Sequence, residues 1–179
     1  MTTPWRDTIR LGEIRRPTKD GAVERRLAPD EKTRVALARF LDLERLDALE
    51  AILRLTPWFD GARLDGRWAA TITQLCGVSL DPLETTLSGH FVVHVVPAGS
   101  KLAPAEIEPE VVLDPEGEDP PDVLETDVID LAGYVIEHLA LDIDPFPRAP
   151  GVEFEPPEAE PESSPFAKLA QWKGGKDQP

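Results

Sequence analysis

Asp60-Gly61-Ala62-Arg63-Leu64-Asp65-Gly66-Arg67-Trp68-Ala69-Ala70-Thr71-Ile72-Thr73 is the stretch on which the fold turns. Its opening Asp-Gly pair suits the positive φ angles of a tight hairpin turn. Beyond it, Leu64, Gly66, Trp68, Ala70 and Ile72 fall on one face of an extended chain, and Arg63, Asp65, Arg67, Thr71 and Thr73 on the other. Side chains of a strand alternate between faces, so this pattern predicts a strand with one face buried. Upstream, Leu49, Ala51, Leu53 and Leu55 alternate with Ala48, Glu50, Ile52 and Arg54, which favours a strand over a helix across 48–56. Downstream, Leu87, Phe91, Val93 and Val95 oppose Thr86, Ser88, His90 and His94, and the loop Gly77-Val78-Ser79-Leu80-Asp81-Pro82-Leu83 joins the two strands. Three strands linked in series by short turns predict an antiparallel meander.

Two helices flank it. Pro29-Asp30-Glu31 is a helix start, with proline preset for the first turn and acids favoured by the helix dipole, and Leu37, Ala38 and Leu41 supply its buried stripe. Asp130 caps a second helix in which Leu131, Tyr134, Val135, His138 and Leu139 keep helical spacing, with Pro145 beyond its end. The fold class is therefore α+β, an antiparallel β-meander with one or two packed helices and an extended acidic, Pro-rich C-terminal segment.

Around this core the chain divides unevenly. Residues 1–28 lack sustained periodicity, although Ile9, Leu11 and Ile14 fit a short strand, and they read as an arm. Residues 29–148 form the core domain, with an acidic insertion at 101–122; beyond Pro97, Val111-Val112-Leu113 and Val123-Leu124 are short apolar pieces in acidic, Pro-rich surroundings, candidate edge strands or pieces that lie on the sheet. Residues 149–164 are an acidic Pro-rich linker. Ser164-Pro165 opens a short helical tail over 165–179, with Phe166, Leu169 and Ala170 on one side. The 19 prolines, crowded after Pro97, make the compact part shorter than the 179-residue chain.

The net charge of −15 is concentrated: residues 101–165 hold 19 of the 34 acidic side chains and only two basic ones. Phosphates repel such a stretch, so RNA contact by the whole surface is disfavoured, and a basic protein is the fitting partner for it. A solvated, solubilising segment is the plain alternative. RNA contact falls to the N-terminal arginines Arg10, Arg15, Arg16, Arg25 and Arg26. No apolar run reaches the length of a signal peptide or a membrane span, and the single cysteine, Cys76, gives no disulfide framework; both point to a cytoplasmic protein.

Catalysis finds little support in the residues. His90 and His94 lie four apart on a strand, a separation of about 13 Å that no single ion spans. His138 sits on an apolar helix side, where a partly buried structural role is the ordinary one. Cys76 lacks a second cysteine near it, and Ser79 lacks a nucleophile elbow; no phosphate-binding glycine loop or metalloprotease motif occurs. No catalytic, metal or cofactor residue is assigned, and the one enzymatic alternative rests on Cys76.

The loop Cys76-Gly77-Val78-Ser79-Leu80-Asp81-Pro82-Leu83 resembles the Cys-x-x-Cys-Leu-Glu-Pro-Phe signature of the YceD family, domain of unknown function 177, in the single-cysteine form associated with alphaproteobacterial members. The ending Ser164-Pro165-Phe166-Ala167-Lys168-Leu169-Ala170-Gln171-Trp172-Lys173 is similar to the family's Asn-Pro-Phe-Ala-x-Leu-x-x-Leu-Lys. Between them, Asp130 to Pro147 resembles the family's Asp-Leu-initiated helix and proline-containing segment. The resemblance implies a protein without known catalytic activity that supports accumulation of large-subunit ribosomal RNA, hence ribosome assembly. Its implied partners are a large-subunit ribosomal RNA precursor and/or a basic large-subunit ribosomal protein, with no membrane and no small-molecule substrate. Cys76 matches the first cysteine and Ser79 replaces the second, so paired-cysteine metal or redox chemistry has no place here. Cys76, Ser79, Leu80, Asp81 and Pro82 form a candidate recognition loop, and Pro165, Phe166, Leu169 and Trp172 a candidate docking tail. A cytosolic interaction adaptor unrelated to ribosomes, bound through that tail, is the alternative.

Overall fold

A computed structural model of the chain describes residues 3–16, 21–104 and 119–153. The chain divides into Met1–Ala149 and Pro150–Pro179, and of the second unit only residues 150–153 are described. The linker from residue 154 onward, the tail with Pro165, Phe166, Leu169 and Trp172, and Val111-Val112-Leu113 lie outside the described residues.

The meander is present. Strand β3 (Arg45–Trp58), β4 (Gly61–Leu75) and β5 (Pro82–Pro97) run antiparallel in series. Leu49, Leu53, Leu55, Leu64, Trp68, Ala70 and Ile72 are all buried, as their alternation requires. Helix α2 (Glu31–Phe40) starts with Pro29 just outside it and not in its first turn: Asp30 is the cap, its carboxylate accepting from the Thr33 amide at 2.8 Å, and Leu37 and Ala38 turn into the core. Helix α3 (Leu131–Asp142) is capped by Asp130, which accepts from the Gly133 amide at 3.3 Å. The apolar pair Val123-Leu124 belongs to β6 (Asp122–Leu124), which pairs parallel with Val95–Pro97 at the end of β5. The Tyr134 hydroxyl donates to the Asp122 carboxylate at 2.9 Å, so the helix is also tied to this short strand.

Two expectations are corrected. The segment 1–28, read as an arm, carries regular structure: β1 (Thr8–Arg10), the single turn α1 (Leu11–Ile14) and β2 (Val23–Leu27). Strand β2 joins the main sheet beside β3, giving the order β2-β3-β4-β5-β6, while β1 forms a separate two-stranded sheet with β7 (Val128–Asp130). Ile9, Leu11 and Ile14 are buried in the common core, and the Leu131 amide donates to the Asp7 carbonyl at 2.7 Å. Burying these three side chains is what holds a segment with little local periodicity in place.

The second correction concerns the hairpin. Trp58 pairs with Gly61, so the two-residue connection is Phe59-Asp60, and the left-handed φ of +48° falls on Phe59. Gly61 begins β4 for a different reason: a Cβ there would run into the backbone carbonyl of Val95 on β5.

A bulge at Asp47 shifts the register of β3 and puts that carboxylate beside Thr73. The Thr73 hydroxyl, almost fully buried, donates to Asp47 at 3.2 Å, and Arg45 holds the same carboxylate at 3.2 Å, so the one buried polar side chain among the described residues is satisfied.

Helices α1, α2 and α3 share one hydrophobic core with the side of the sheet that bears Leu53 and Leu64. The other side of the sheet is uncovered among the described residues.

Candidate functional site

Alternation along the four long strands decides what that uncovered side displays. Register places Arg26, Ile52, Arg67 and His90 in one row across β2 to β5, and Glu24, Arg54, Asp65 and Val92 in the next. A third row holds Thr56, Arg63 and His94. Glu50, Ile52, Arg54, Asp65, Arg67 and Ala69 border a shallow depression of about 570 Å³.

The charges on this face are partly paired. Arg26 meets Glu24 at 3.5 Å, Arg63 meets Asp65 at 3.6 Å, and His90 reaches the same Asp65 at 3.3 Å. Exposed pairs of this kind contribute little and exchange readily for other partners. Arg54 and Arg67 make no ion pair among the described residues. At the turn end, His94 stacks on Trp58 with centroids 4.3 Å apart, and the exposed Phe59 ring meets Trp58 edge-on at 4.8 Å. The face thus combines cations, hydrogen-bond donors and flat rings.

Of the five arginines expected in an N-terminal arm, only Arg26 lies on this face. Arg25 pairs with Leu53 and so points to the opposite side of β2. Arg10 closes β1, and Arg15 and Arg16 follow α1, on the part of the chain bound to β7. Arg54, Arg63 and Arg67 were legible as the polar half of each strand's alternation, but a one-strand reading could not show that their rows line up.

At the far end of the β4–β5 hairpin sits the loop of Cys76, Ser79, Leu80, Asp81 and Pro82. The Cys76 amide donates to the Asp81 carbonyl at 2.9 Å, and the Leu80 amide to the Cys76 carbonyl at 2.9 Å, closing the turn. Leu80 adopts a left-handed φ of +61° and is 69% exposed. The segment after α3 braces the loop. Gln74 donates to the Asp144 carbonyl at 2.8 Å, and the Gly77 amide to the Pro147 carbonyl at 2.8 Å. Phe146, within that brace, is 79% exposed. The tip is therefore built from two chain segments, and Phe146 and Pro147 join it through long-range packing that no local pattern signals.

Cys76 is fully buried beneath the tip, and its sulfur accepts from the amides of Ser79 and Ala149, each at 3.4 Å. The Ser79 hydroxyl, followed by the amides of Ser79, Ala149 and Val78, holds the thiol well below its ordinary value of 9.0, at about 6, against the opposing effect of burial. No imidazole or carboxylate hydrogen-bonds to it among the described residues, where no group of three His, Cys, Asp or Glu side chains is placed to hold a metal ion. The sulfur works as an acceptor that pins two segments together.

A depressed folded-state value means that thiolate formation stabilises the fold at high pH and that this contribution is lost as pH falls through about 6. The gap in Tm between the wild type and Cys76→Ala should accordingly widen from acidic toward alkaline pH. Labelling by a thiol reagent should stay slow in the native protein and become fast on unfolding, because access rather than ionisation limits it. A Tm gap that does not change with pH, or rapid native labelling, contradicts this account.

These features define an α+β protein that displays an arginine-bearing sheet face and a tip carrying the exposed Leu80 and Phe146. The chain belongs to the YceD family: the model of the family described as large ribosomal RNA subunit accumulation protein YceD matches residues 64–173, from β4 through the end of the family-like tail. The family's name ties it to accumulation of large-subunit ribosomal RNA. No curated protein and no solved structure matches the chain. Among the described residues, no helix is long and apolar enough to cross a membrane.

Proposed function

We propose that this chain is a non-catalytic, cytoplasmic factor for large-subunit assembly, which supports accumulation of the ribosomal RNA by binding it. The observation that carries the reading is the uncovered sheet face, where Arg54 and Arg67 make no ion pair among the described residues in a chain whose net charge is −15. Cations on this face attract the RNA backbone, whereas the acids concentrated beyond residue 100 in the sequence repel it. The Trp58, Phe59 and His94 rings at the edge of the face provide stacking surfaces for unpaired bases. The N-terminal arginines Arg10, Arg15, Arg16 and Arg25 extend the cationic area outside the face.

The acidic segment 101–122 supplies a second contact of opposite sign, to a basic large-subunit ribosomal protein. The tip of Leu80, Asp81 and Phe146 adds an apolar point of attachment.

Depletion tests the proposal. Large-subunit RNA precursors should fall and free small subunits accumulate, and the protein should co-sediment with large-subunit precursors in a sucrose gradient. Normal subunit profiles after depletion, with the protein remaining at the top of the gradient, would instead identify an adaptor unrelated to ribosomes.

A further inference from the structure

Strand β5 has two long edges, and only one is used along its length. Its inner edge pairs with β4 from Pro82 through Val95. Its outer edge meets β6 only at Val95–Pro97, and from Pro82 to His94 nothing among the described residues hydrogen-bonds to it. An open row of backbone donors and acceptors recruits another strand unless it is short, bulged, or guarded by lysine or proline. This edge is long, its register with β4 is uninterrupted, it contains no Lys or Arg, and its only proline before Val95 is Pro82, at the very start.

We propose that Glu84–His94 of β5 pairs antiparallel with the same stretch of a second copy, the two-fold axis passing through Gly89. The side-chain pattern selects both partner and register. With the axis at Gly89, Glu84 faces His94 of the other copy, Thr86 faces Val92, Ser88 faces His90, and Leu87 faces Phe91. The acid at one end meets an imidazole at the other, twice, and apolar residues meet on the core side. Moving the axis to Ser88 places Glu84 opposite Val92; moving it to Leu87 brings Glu84 to His90 and Phe91 to Leu83, but sets Val92 against Pro82, which has no N–H for the ladder, and leaves Val93 and His94 beyond the start of the partner strand. A carboxylate opposite an imidazole can accept a hydrogen bond from its ring N–H across the strand pair, so the Gly89 register is preferred. The acidity that would keep two copies apart lies mainly in residues 101–165, whereas Glu84–His94 holds one acid and two histidines. Paired this way, the two sheets become one, with both arginine-bearing faces on the same side.

Analytical ultracentrifugation of the full chain, over a wide concentration range, should show a species of twice 19.7 kDa. Thr86 and Val92 are both exposed on the uncovered face, and in the dimer they oppose each other at two places. Thr86→Lys with Val92→Lys sets lysine against lysine and should weaken dimerisation at least tenfold, with the Tm of the monomer retained. Thr86→Glu with Val92→Lys sets acid against base and should restore dimerisation to near the wild-type level. A wild type that is monomeric throughout overturns the proposal, whichever other strand takes the edge. So does a dimer that both double variants weaken alike, or that neither weakens.

Discussion

Phe91→Ala should be among the most damaging single substitutions in this chain, costing about 3–5 kcal/mol and lowering Tm by roughly 10 °C. Phe91 lies on the core side of β5 directly opposite Gly66 of β4, and a Cβ on Gly66 would strike its ring. The ring therefore covers a stretch of strand that has no side chain of its own. On its other face it stacks against His138 of α3, with centroids 4.2 Å apart and planes 5° from parallel. At the neighbouring position the arrangement is reversed: Trp68 of β4 covers Gly89 of β5, where a Cβ would come within 2.7 Å of the indole. Truncating Phe91 removes the packing between sheet and helix and opens a void that neither glycine can fill. Thermal unfolding followed by circular dichroism measures the loss, and a fall of only a degree or two would show that the stack is incidental. Gly66→Val tests the same layer from below and should cost about 1–3 kcal/mol through overpacking.

The second large effect concerns RNA. Reversing Arg54 and Arg67 together to glutamate should weaken binding of a single-stranded RNA oligonucleotide tenfold or more. For a single strand, the slope of log affinity against log salt changes by about 0.7 for every phosphate that is no longer neutralised, so the double variant should be less salt-dependent by about 1.4. Fluorescence anisotropy across a KCl series reads both quantities. Lys32→Glu with Arg39→Glu, both exposed on α2 across the core from this face, makes the same change in net charge and serves as the control, which should leave binding nearly unchanged. Equal weakening in the two variants would mean that overall charge, and not the sheet face, governs binding.

How much of this is legible in the sequence depends on whether a pattern is local. Strands β3 and β4 announce themselves because alternate residues are buried over most of their length, and β5 keeps the same period from Leu87 to Val95 although only Phe91 and Val95 on that side are fully buried. Helices α2 and α3 are equally plain, since Pro29-Asp30-Glu31 marks a start, Asp130 is a cap, and Leu37, Val135 and Leu139 keep helical spacing. Strand β2 hides because Val23-Glu24-Arg25-Arg26-Leu27 has charged residues at three of five positions; it is an edge strand stabilised by its partner. Strands β1 and β7 are only three residues each and exist through pairing across the length of the domain. The Cys76 loop is visible as a motif, yet its bracing by Asp144 and Pro147 depends on a fold that a motif does not encode. The same limit separates Arg25 from Arg26: neighbours in sequence, they face opposite sides as soon as the segment is a strand.

The pairing of Ile9 with Ile129 has a temporal meaning. A chain emerging from its own ribosome presents β2 to β5 in an order that allows each hairpin to close soon after it appears, since every strand finds its neighbour next in line. Strand β1 is made before them and waits longest, since the strand it pairs with, β7, follows all of them in the chain. Completion of the fold is thus reported by a segment made before the sheet, and a nascent chain halted before Val128 would carry a finished five-stranded sheet with β1 still unclaimed.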